Sequence, residues 1–457
     1  MKSHFLFRPV FYLISSAFPF SAGCFEKPEP LKESKLPNVV ILLADDQGYA
    51  DVSFHKHAEG ISTPAIDQLA KSGVIFTNGY ASAYVCAPTR AGLMTGRYQQ
   101  RYGFYTASDS RQGLPVNEIF LPELLKKKGY KTGVFGKWHL GLLKPFYPTS
   151  RGFDTFYGFL GHGGHDYFAL NCEPGSEQTC IYRNDKPISD TGYLTDNLAR
   201  EACGFIEENS KGNSPFFLYL PFNAVHAPLE APEEDILKFN SGDRDRDIQL
   251  AMIHRMDLAI GKVISKLKET GAFNNTLIFY FSDNGGAKVS KAINTPLRDY
   301  KHSVYEGGIR VPFFITWPGK LKPGTSDEPV ISLDILPTIC GALGIELPTD
   351  RIYDGRNILP VLQKKQKSPL HESLFWDGND GIWAIRQGDW KLIQNREKEL
   401  ELYNLKNDLS EKTDLSSQNQ PMVEKLKNEF IKWRSQMATP MGDLKPKRNN
   451  KRNNDDQ

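Results

Sequence analysis

The sequence predicts an α/β fold: a large, mainly parallel sheet sandwiched by helices, followed by a smaller C-terminal α+β domain that carries an antiparallel sheet. From Asn38 onward, short apolar strands alternate with amphipathic helices, and this alternation is typical of parallel sheets. The strands are continuous apolar runs, as expected for a sheet covered on both faces. After about Leu347 the pattern changes to short strands joined by Gly and Asp turns, which indicates antiparallel pairing.

The first strand is predicted at 38–43, a continuous apolar run of strand length. Thr63 then predicts the N-cap of a helix that has Pro64 at its first position and ends at Gly73. A later helix carries an apolar stripe over 248–267. Further buried strands are predicted at 132–135, 216–220, 277–281 and 312–316.

The C-terminal part has its own pattern of short strands and one helix. The strands are predicted at 374–376, 383–386, 390–393 and 400–405, and the helix at 422–437. From Lys445 the chain is rich in Asn, Lys and Arg without an apolar anchor, which predicts disorder. We therefore expect a main domain at 37–346, an α+β subdomain at 347–440 and a disordered tail at 441–457.

Length and charge exclude some classes of function. A chain of 457 residues can bury a large core and add a smaller domain. The formal net charge is +2 at pH 7, so the overall field favours neither a nucleic-acid partner nor a membrane surface. We predict no nucleic-acid partner, although a balanced total still permits a local cationic pocket for an anionic ligand.

Residues 1–24 are predicted to be an export signal. Lys2 and Arg8 flank a short apolar run at 10–14, and small residues lead from there to Cys24. The run is too short to span a bilayer. The ending resembles a bacterial lipoprotein processing site with Cys24 as the lipidated residue, and ordinary cleavage is the alternative. We expect an exported protein in the periplasm or at the cell surface, with a lipid anchor if Cys24 is lipidated.

Two further cysteines predict a disulfide. Cys172 and Cys180 bracket a short polar loop, so an oxidising compartment would join them. Cys203 and Cys340 lie in apolar helical patterns and are predicted to be inert core thiols.

Polar side chains follow two of the predicted strands directly. Asp45 and Asp46 come after the first strand, and Asp283 and Asn284 come after the strand at 277–281. Ligands of α/β sheets bind at the carboxyl ends of strands, where these oxygens can converge on a divalent cation. An all-oxygen set without an adjacent His favours calcium or magnesium over zinc. The alternative is that each pair caps the next helix or lies in a turn.

The segment 86–96, CAPTRAGLMTG, predicts a helix with a reactive N-terminus. Pro88 suits the first turn of a helix and so places Cys86 at the N-terminus, where partial positive charge favours anions and a reactive side chain. Arg90 lies one turn further on, where it can orient that side chain or an anion. The alternative is a structural Cys in front of a helix.

The motif Cys86-x-Pro88-x-Arg90, followed by LMTG at 93–96, resembles the signature of type I sulfatases in the alkaline phosphatase superfamily. The segment 129–139, GYKTGVFGKWH, resembles the second signature of that family. The likeness runs from about Asn38 to the end of the C-terminal domain. It includes the segments 45–46, 226–228, 283–285 and 301–308.

This resemblance implies a modified nucleophile and a metal. In family members the Cys at position 86 is oxidised to formylglycine (3-oxoalanine) by a formylglycine-generating maturation enzyme, and the hydrated aldehyde attacks sulfur. The resemblance also implies one Ca²⁺ per chain. Its implied ligands are Asp45, Asp46, Asp283, Asn284 and the modified Cys86.

The resemblance assigns catalytic roles to charged side chains around this nucleophile. Arg90 and Lys137 match residues that stabilise the formylglycine, and Lys137 also contacts the sulfate. His139 matches the base that releases sulfate from the enzyme. Sulfate-ester cleavage builds negative charge on the sulfuryl and leaving oxygens, and fixed positive groups stabilise that charge.

Three more histidine and lysine positions are implied to contact the substrate. His226 and Lys301 match residues that bind the sulfate and assist the leaving oxygen. His165 falls where relatives often place a further polar contact. Gly164 stands where some relatives have Ser, which departs from the family pattern and weakens the match at His165.

The run 95–104, TGRYQQRYGF, resembles sulfatases that act on sulfated polysaccharides, including algal galactans such as carrageenan. The resemblance therefore implies hydrolysis of sulfate esters on a sulfated carbohydrate. Glycosaminoglycans, ulvan and fucoidan remain open as substrates. Two other functions also remain open: a phosphonate monoester or phosphodiester hydrolase of the same superfamily, and a surface glycan-binding protein in which Cys86 is not converted.

Overall fold

The structure is a computed structural model that describes residues 1, 2, 4, 6–11, 13, 36–161, 164–173, 175, 179–366, 368–396 and 398–444. The chain divides into two units, Met1–Lys35 and Leu36–Gln457, and the described helices and strands lie in the second. Much of the predicted export signal, including Cys24, lies outside the described residues. None of the described helices is both long enough and apolar enough to cross a bilayer.

A ten-stranded sheet forms the centre of the second unit. The described strands, numbered in chain order, are β1 (Asn38–Ala44), β2 (Val74–Phe76), β3 (Gly79–Tyr80), β4 (Lys131–Lys137), β5 (Thr155–Phe159), β6 (Ile181–Arg183), β7 (Lys186–Ile188), β8 (Phe216–Pro221), β9 (Thr276–Ser282), β10 (Phe313–Thr316), β11 (Gly324–Ser326), β12 (Val330–Ile331), β13 (Leu374–Asp377), β14 (Ile382–Gln387), β15 (Trp390–Asn395) and β16 (Glu401–Asn404). The order in the large sheet is β11-β2-β10-β9-β1-β8-β4-β5-β6-β7. Its central strands β9-β1-β8-β4-β5 are all parallel, which confirms the mainly parallel sheet that the sequence predicts.

Helices cover both faces of this sheet. The described α-helices are α1 (Pro64–Lys71), α2 (Cys86–Thr95), α3 (Leu121–Lys126), α4 (Leu194–Ser210), α5 (Glu233–Ile236), α6 (Arg244–Glu269), α7 (Glu306–Ile309), α8 (Ile335–Leu343), α9 (Leu359–Leu362) and α10 (Gln420–Arg434). Val39 and Ile41 of β1 pack with α2, α3 and α8, whereas Val40 and Leu42 pack with α1, α4 and α6 on the opposite face. Burial on both faces explains why β1 is apolar at every central position.

The N-terminus of α1 differs from the sequence-based expectation in how it is capped. Thr63 precedes the helix as predicted, but its hydroxyl bonds to Oδ1 of Asp67 at 3.0 Å and does not cap the main chain. The carboxylate of Asp257, on α6, instead accepts hydrogen bonds from the main-chain N of Ala65 at 3.1 Å and of Ile66 at 2.8 Å. A side chain distant in sequence therefore supplies the cap that the local pattern assigned to Thr63.

Four antiparallel strands, β13-β14-β15-β16, form a separate sheet against which α10 packs. The contact is aromatic: the rings of Trp383 and Phe430 stack with centroids 4.0 Å apart, and those of Phe375 and Trp433 stack at 4.8 Å. The smaller α+β part with an antiparallel sheet is therefore confirmed, and its boundary at residue 347 stays a prediction.

The chain is ordered slightly beyond the point where the sequence predicts a disordered tail. Met441–Leu444 forms a 3-10 helix, and the main-chain N of Met441 donates to O of Gly103 at 2.9 Å. This contact with the loop after α2 holds the first residues of the predicted tail. Residues 445–457 lie outside the described residues.

Candidate active site

Four neighbouring parallel strands, β9, β1, β8 and β4, end at one edge of the large sheet. Ala44 at the end of β1 pairs with Ser282 at the end of β9, so the residues that follow them meet. This is the edge where ligands of α/β sheets bind. The predicted site residues that end or follow these strands are Asp45, Asp46, Lys137, His226, Asp283 and Asn284.

The two polar pairs predicted at strand ends converge and are at most 1% exposed. The main-chain N of Asp46 donates to Oδ1 of Asp283 at 3.3 Å, and Nδ2 of Asn284 donates to Oδ1 of Asp46 at 2.7 Å. Oδ1 of Asp45 and Oδ1 of Asn284 are buried and accept no hydrogen bond from any described residue. Because an unpaired buried acceptor is costly, these oxygens suit a bound hard cation.

Arg90 and Lys137 neutralise part of this acidic cluster. Nε and Nη2 of Arg90 donate to Oδ2 of Asp283 at 3.0 and 2.8 Å, and Nη1 donates to the main-chain O of Lys137 at 2.9 Å. Nζ of Lys137 lies 2.5 Å from Oδ2 of Asp45. All four side chains are fully buried, so the attraction between them is screened only weakly.

Lys301 approaches the same cluster from a loop in front of α7. Its Nζ lies 2.7 Å from Oδ1 and 3.0 Å from Oδ2 of Asp46. Burial lowers the pKa of Lys301, but the neighbouring Asp46 outweighs it, so the pKa of the ammonium lies above its ordinary value. Burial raises the pKa of Asp46, and Lys301 and His226 outweigh that effect, so the pKa of Asp46 is lowered. Both groups are therefore charged at neutral pH.

Cys86 is the first residue of α2, as Pro88 predicts, and it is 3% exposed. Burial raises the pKa of its thiol above the ordinary value, although Lys137 and Lys301 act in the opposite direction. The thiol is therefore protonated at neutral pH and is not activated as a thiolate.

Two histidines complete the cluster. His139 is 1% exposed, and its two ring nitrogens have no hydrogen-bond partner among the described residues. Burial, reinforced by Lys137 and Arg90, holds the pKa of His139 well below its usual range, so the ring is neutral. Nε2 of His226 lies 3.6 Å from Oδ2 of Asp46, and its Nδ1 lies 2.6 Å from the main-chain O of the next residue.

A model of the family described as "Sulfatase" matches residues 37–345 of this chain. The chain belongs to the sulfatase family. A second model, described as "N-sulphoglucosamine sulphohydrolase, C-terminal", matches residues 299–436. The family that Cys86-x-Pro88-x-Arg90 indicates is therefore confirmed, and the protein is a sulfatase.

Curated sulfatases and solved structures resemble the chain over most of its length. It is 32% identical over 398 residues to the uncharacterised sulfatase YdeN of Escherichia coli (strain K12), covering 76% of this chain and 70% of that protein. It is 33% identical over 392 residues to N-acetylgalactosamine-6-sulfatase of Homo sapiens, covering 81% of this chain and 72% of that protein. The solved structure of Ps i-CgsB in complex with k-i-k-neocarrahexaose superposes with a TM-score of 0.84 at 36% identity, covering 89% of this chain and 94% of that one.

His165 differs from the other predicted site residues because its ring is already engaged. Its Nδ1 lies 2.6 Å from O of Asp166 and its Nε2 lies 2.7 Å from O of Thr179, so both nitrogens face main-chain carbonyls. A Cβ added to Gly164 would lie 1.8 Å from the main-chain O of Ala227, which leaves no room for a Ser at that position of this sulfatase. A substrate contact of His165 stays a prediction.

The sulfur atoms of Cys172 and Cys180 are bonded in the structure, and their Cα atoms are 4.9 Å apart. This is the pair that the sequence predicts. The remaining described cysteines, Cys86, Cys203 and Cys340, are free thiols.

The turn 378–381 between β13 and β14 contacts the segment that precedes the candidate nucleophile, and this contact could not be predicted from the sequence. The hydroxyl of Tyr84, two residues before the candidate nucleophile, donates to Oδ1 of Asp380 at 3.0 Å. Gly378 lies against the same hydroxyl, because an added Cβ would be 1.5 Å from it. The pattern Gly-Asn-Asp-Gly signals a tight turn, but nothing in the sequence shows that this turn reaches Tyr84.

Proposed function

We propose that this sulfatase hydrolyses sulfate esters of a sulfated carbohydrate, with a formylglycine made from Cys86 as nucleophile and one Ca²⁺ at the acidic cluster. The observation that carries this proposal is the buried convergence of oxygen ligands and cationic side chains around the N-terminus of α2. Each component has a role in sulfate-ester cleavage.

The acidic cluster fits a calcium ion by its donor chemistry. The unpaired, buried Oδ1 atoms of Asp45 and Asn284 are free to coordinate, and Asp46 and Asp283 supply further carboxylate oxygens. The sequence shows no His next to these acids, but the fold brings His226 beside Asp45 and Asp46. We propose that the ligands are the oxygens of Asp45, Asp46, Asp283 and Asn284, a donor set that favours Ca²⁺ over a softer metal. When bound, the ion supplies fixed positive charge at the sulfuryl oxygens.

The nucleophile we propose is the product of oxidation of Cys86, with a formylglycine-generating enzyme as the maturation partner. The structure supports this proposal indirectly, because the buried thiol has a raised pKa and is a poor nucleophile as it stands. A hydrated formylglycine would supply one hydroxyl that attacks sulfur and displaces the alcohol of the ester. Deprotonation of its second hydroxyl would then break the C–O bond to the sulfate, which releases sulfate and re-forms the aldehyde.

The charge balance of the site favours an anionic substrate. The three cations Arg90, Lys137 and Lys301 balance the three carboxylates that face them, so a bound divalent cation leaves the site positive. We propose that Arg90 and Lys137 orient position 86 and that Lys137 and Lys301 hold the sulfate. These ammonium and guanidinium groups stabilise the charge that develops on the sulfuryl oxygens.

The two histidines are suited to proton transfer. We propose that the ring of His139, whose two nitrogens have no partner among the described residues, accepts a proton from the nucleophile at position 86. The Nδ1 of His226 faces a main-chain carbonyl, and this contact holds the ring with Nε2 toward Asp46. We propose that His226 and Lys301 donate to the leaving oxygen of the ester.

A sulfated galactan such as carrageenan is the substrate we favour. The name of the ligand in the Ps i-CgsB structure, a neocarrahexaose, denotes a carrageenan oligosaccharide, and that protein resembles 89% of this chain. The bonded pair Cys172–Cys180 fits an oxidising compartment and so supports the proposed export to the periplasm or cell surface. An extracellular polysaccharide is accessible there. A lipid anchor at Cys24 would keep the enzyme at that surface.

The experiment is to co-express the mature chain with a formylglycine-generating enzyme, supply Ca²⁺ and measure free sulfate. The substrates are oligosaccharides of carrageenan, ulvan, fucoidan and glycosaminoglycans, with Cys86→Ala as the control. We expect release from a carrageenan oligosaccharide and none with Cys86→Ala, whose circular dichroism should match the parent. Activity that survives in Cys86→Ala would overturn the mechanism. An enzyme that carries formylglycine and cleaves phosphonate monoesters, but releases no sulfate from any of these oligosaccharides, would overturn the proposed substrate class.

A further inference from the structure

Three separate parts of the chain form hydrogen bonds with the turn 378–381 and with Asp377, which precedes it. Nε2 of Gln100 donates to the main-chain O of Asp377 at 2.8 Å, and Nη2 of Arg434 on α10 donates to Oδ1 of Asn379 at 2.6 Å. The hydroxyl of Tyr84 provides the third anchor through Oδ1 of Asp380. A turn braced in this way loses little conformational entropy when a ligand binds to it.

Tyr84 connects this turn to both sides of the sulfate-binding cluster. It lies two residues before Cys86, and its main-chain O accepts a hydrogen bond from the N of His302 at 3.1 Å. His302 directly follows Lys301, whose ammonium contacts Asp46. One tyrosine therefore fixes the distance between the turn, the nucleophile and the lysine that we propose to hold sulfate.

The electrostatic surroundings of His302 agree with that placement. Burial lowers the pKa of its ring, and Lys301 and His226 lower it further, while Asp46 and Asp380 act in the opposite direction. His302 is thus influenced by the sulfate-binding cluster on one side and by the turn on the other. Its side chain is exposed, as is that of Asp380, so both line an open rim.

Asp380 presents one oxygen to this rim. Its Oδ1 is used twice within the protein, because it accepts from the Tyr84 hydroxyl at 3.0 Å and from the main-chain N of Ile382 at 3.1 Å. No hydrogen bond or ion pair of the described chain involves its Oδ2. The contacts through Oδ1 fix the carboxylate plane, and the second oxygen is left as a preorganised acceptor.

We propose that Asp380 is a specificity-determining residue whose Oδ2 accepts hydrogen bonds from hydroxyl groups of the sugar that carries the scissile sulfate. This inference rests on the proposed function, since it concerns recognition of the carbohydrate at the same site. A carboxylate beside a sulfate-binding cluster repels a second anion, whereas it binds a neutral hydroxyl donor strongly. Asp380 therefore selects for free hydroxyls next to the sulfate ester.

The substitution Asp380→Asn separates this role from a structural one. Asn keeps Oδ1, so the hydrogen bonds from Tyr84 and Ile382 can persist, and it replaces only the free oxygen and the charge. The matched control is Asp389→Asn, an exposed aspartate in the turn at the opposite end of β14. Unchanged melting temperatures of both variants would show that the fold is kept.

The test is calorimetric binding of a carrageenan hexasaccharide and, separately, of inorganic sulfate, to the calcium-loaded full chain. Because a hydrogen bond to a charged group is lost, we expect Asp380→Asn to weaken hexasaccharide binding by about tenfold. Inorganic sulfate has no hydroxyl donor in this position, so its affinity should stay the same or rise slightly. Asp389→Asn should bind both ligands as the parent does.

The outcomes distinguish this inference from the proposed function. Equal hexasaccharide affinity in Asp380→Asn and the parent would overturn the role of Asp380 and leave the sulfatase proposal standing. An equal loss of affinity for the hexasaccharide and for inorganic sulfate would also overturn the role of Asp380, because the variant would then have disturbed the sulfate site. A parent that binds no hexasaccharide overturns the galactan assignment together with this inference. Tight, Asp380-dependent binding without sulfate release supports the inference and overturns only the proposed chemistry.

Discussion

Nζ of Lys391 lies 2.8 Å from Oε1 of Glu306, and both side chains are completely buried. The same ammonium lies 2.8 Å from Oε1 of Glu411, whose Oε2 accepts from the main-chain N of Glu306 at 2.7 Å. Lys391 belongs to β15 of the C-terminal sheet, whereas Glu306 begins α7, shortly after Lys301. This ion pair therefore fixes the C-terminal sheet to the segment that carries a lysine of the active site.

Replacing Lys391 should destabilise the protein severely. Lys391→Met leaves Glu306 and Glu411 buried without their ammonium, and loss of one partner of a buried ion pair costs about 3–5 kcal/mol. The measurement is the free energy of unfolding from urea denaturation. Lys398→Met, on an exposed lysine of the same part of the chain, is the control and should stay within about 0.5 kcal/mol of the parent. If Lys391→Met lowers the free energy of unfolding no more than Lys398→Met does, the buried ion pairs do not stabilise the protein as stated.

Asp257 should make stability depend on pH. Burial raises its pKa to about 6, although the N–H groups of Ile66 and Ala65 act in the opposite direction. The folded pKa is above the unfolded value, so the folded state binds the extra proton. The stabilising effect is therefore complete below about pH 4 and is lost as pH rises to about 6.

The comparison of the parent with Asp257→Asn isolates this effect, because Asn does not titrate. From pH 4 to pH 7 we expect the stability of the parent to fall by roughly 2–3 kcal/mol relative to that of Asp257→Asn. Chemical denaturation of both proteins at each pH gives the difference. A difference that is constant with pH would show that Asp257 does not change its protonation state in this range.

Calcium should raise the melting temperature of the full chain. Binding only to the folded state at a hundredfold excess over Kd adds about 2.7 kcal/mol to the free energy of unfolding. Melting curves with Ca²⁺ and with a chelator give the shift without any substrate. We expect Asp283→Asn to reduce the shift and Asp389→Asn to retain it. An equal shift in all three proteins would place the calcium elsewhere.

Gly204 offers a stabilising substitution far from the site. It lies exposed within α4, a Cβ added there meets nothing within 4 Å, and its backbone is not left-handed. Gly204→Ala should therefore raise the free energy of unfolding by about 0.5–1 kcal/mol, through helix propensity and a less flexible unfolded chain. Gly378→Ala places a methyl group against the Tyr84 hydroxyl and should therefore lower the free energy of unfolding. Thermal denaturation of the two variants checks the contrast.

The central sheet and the acidic cluster could be predicted because local patterns carry them. Strands buried on both faces must be apolar throughout, and this rule predicted β1, β4, β8, β9 and β10. The rule failed for β2, β5, β6, β7 and β11, which are short or lie toward the sheet edges and lack that pattern. Asp45 and Asp283 could be predicted to meet because parallel strands bring their carboxyl ends to one edge.

The sequence by itself determined the sulfatase family, the apolar strands of the central sheet and the place of Cys86 at a helix N-terminus. The family follows from the resemblance of two short segments to its signatures, and the strands and the start of the helix depend on residues that are close together in the chain. Only the tertiary structure decided that Asp257 caps α1, that His165 turns to main-chain carbonyls and that Asp380 reaches Tyr84. Such contacts join residues brought together by packing, where the available partner and the space around it decide which way a side chain points.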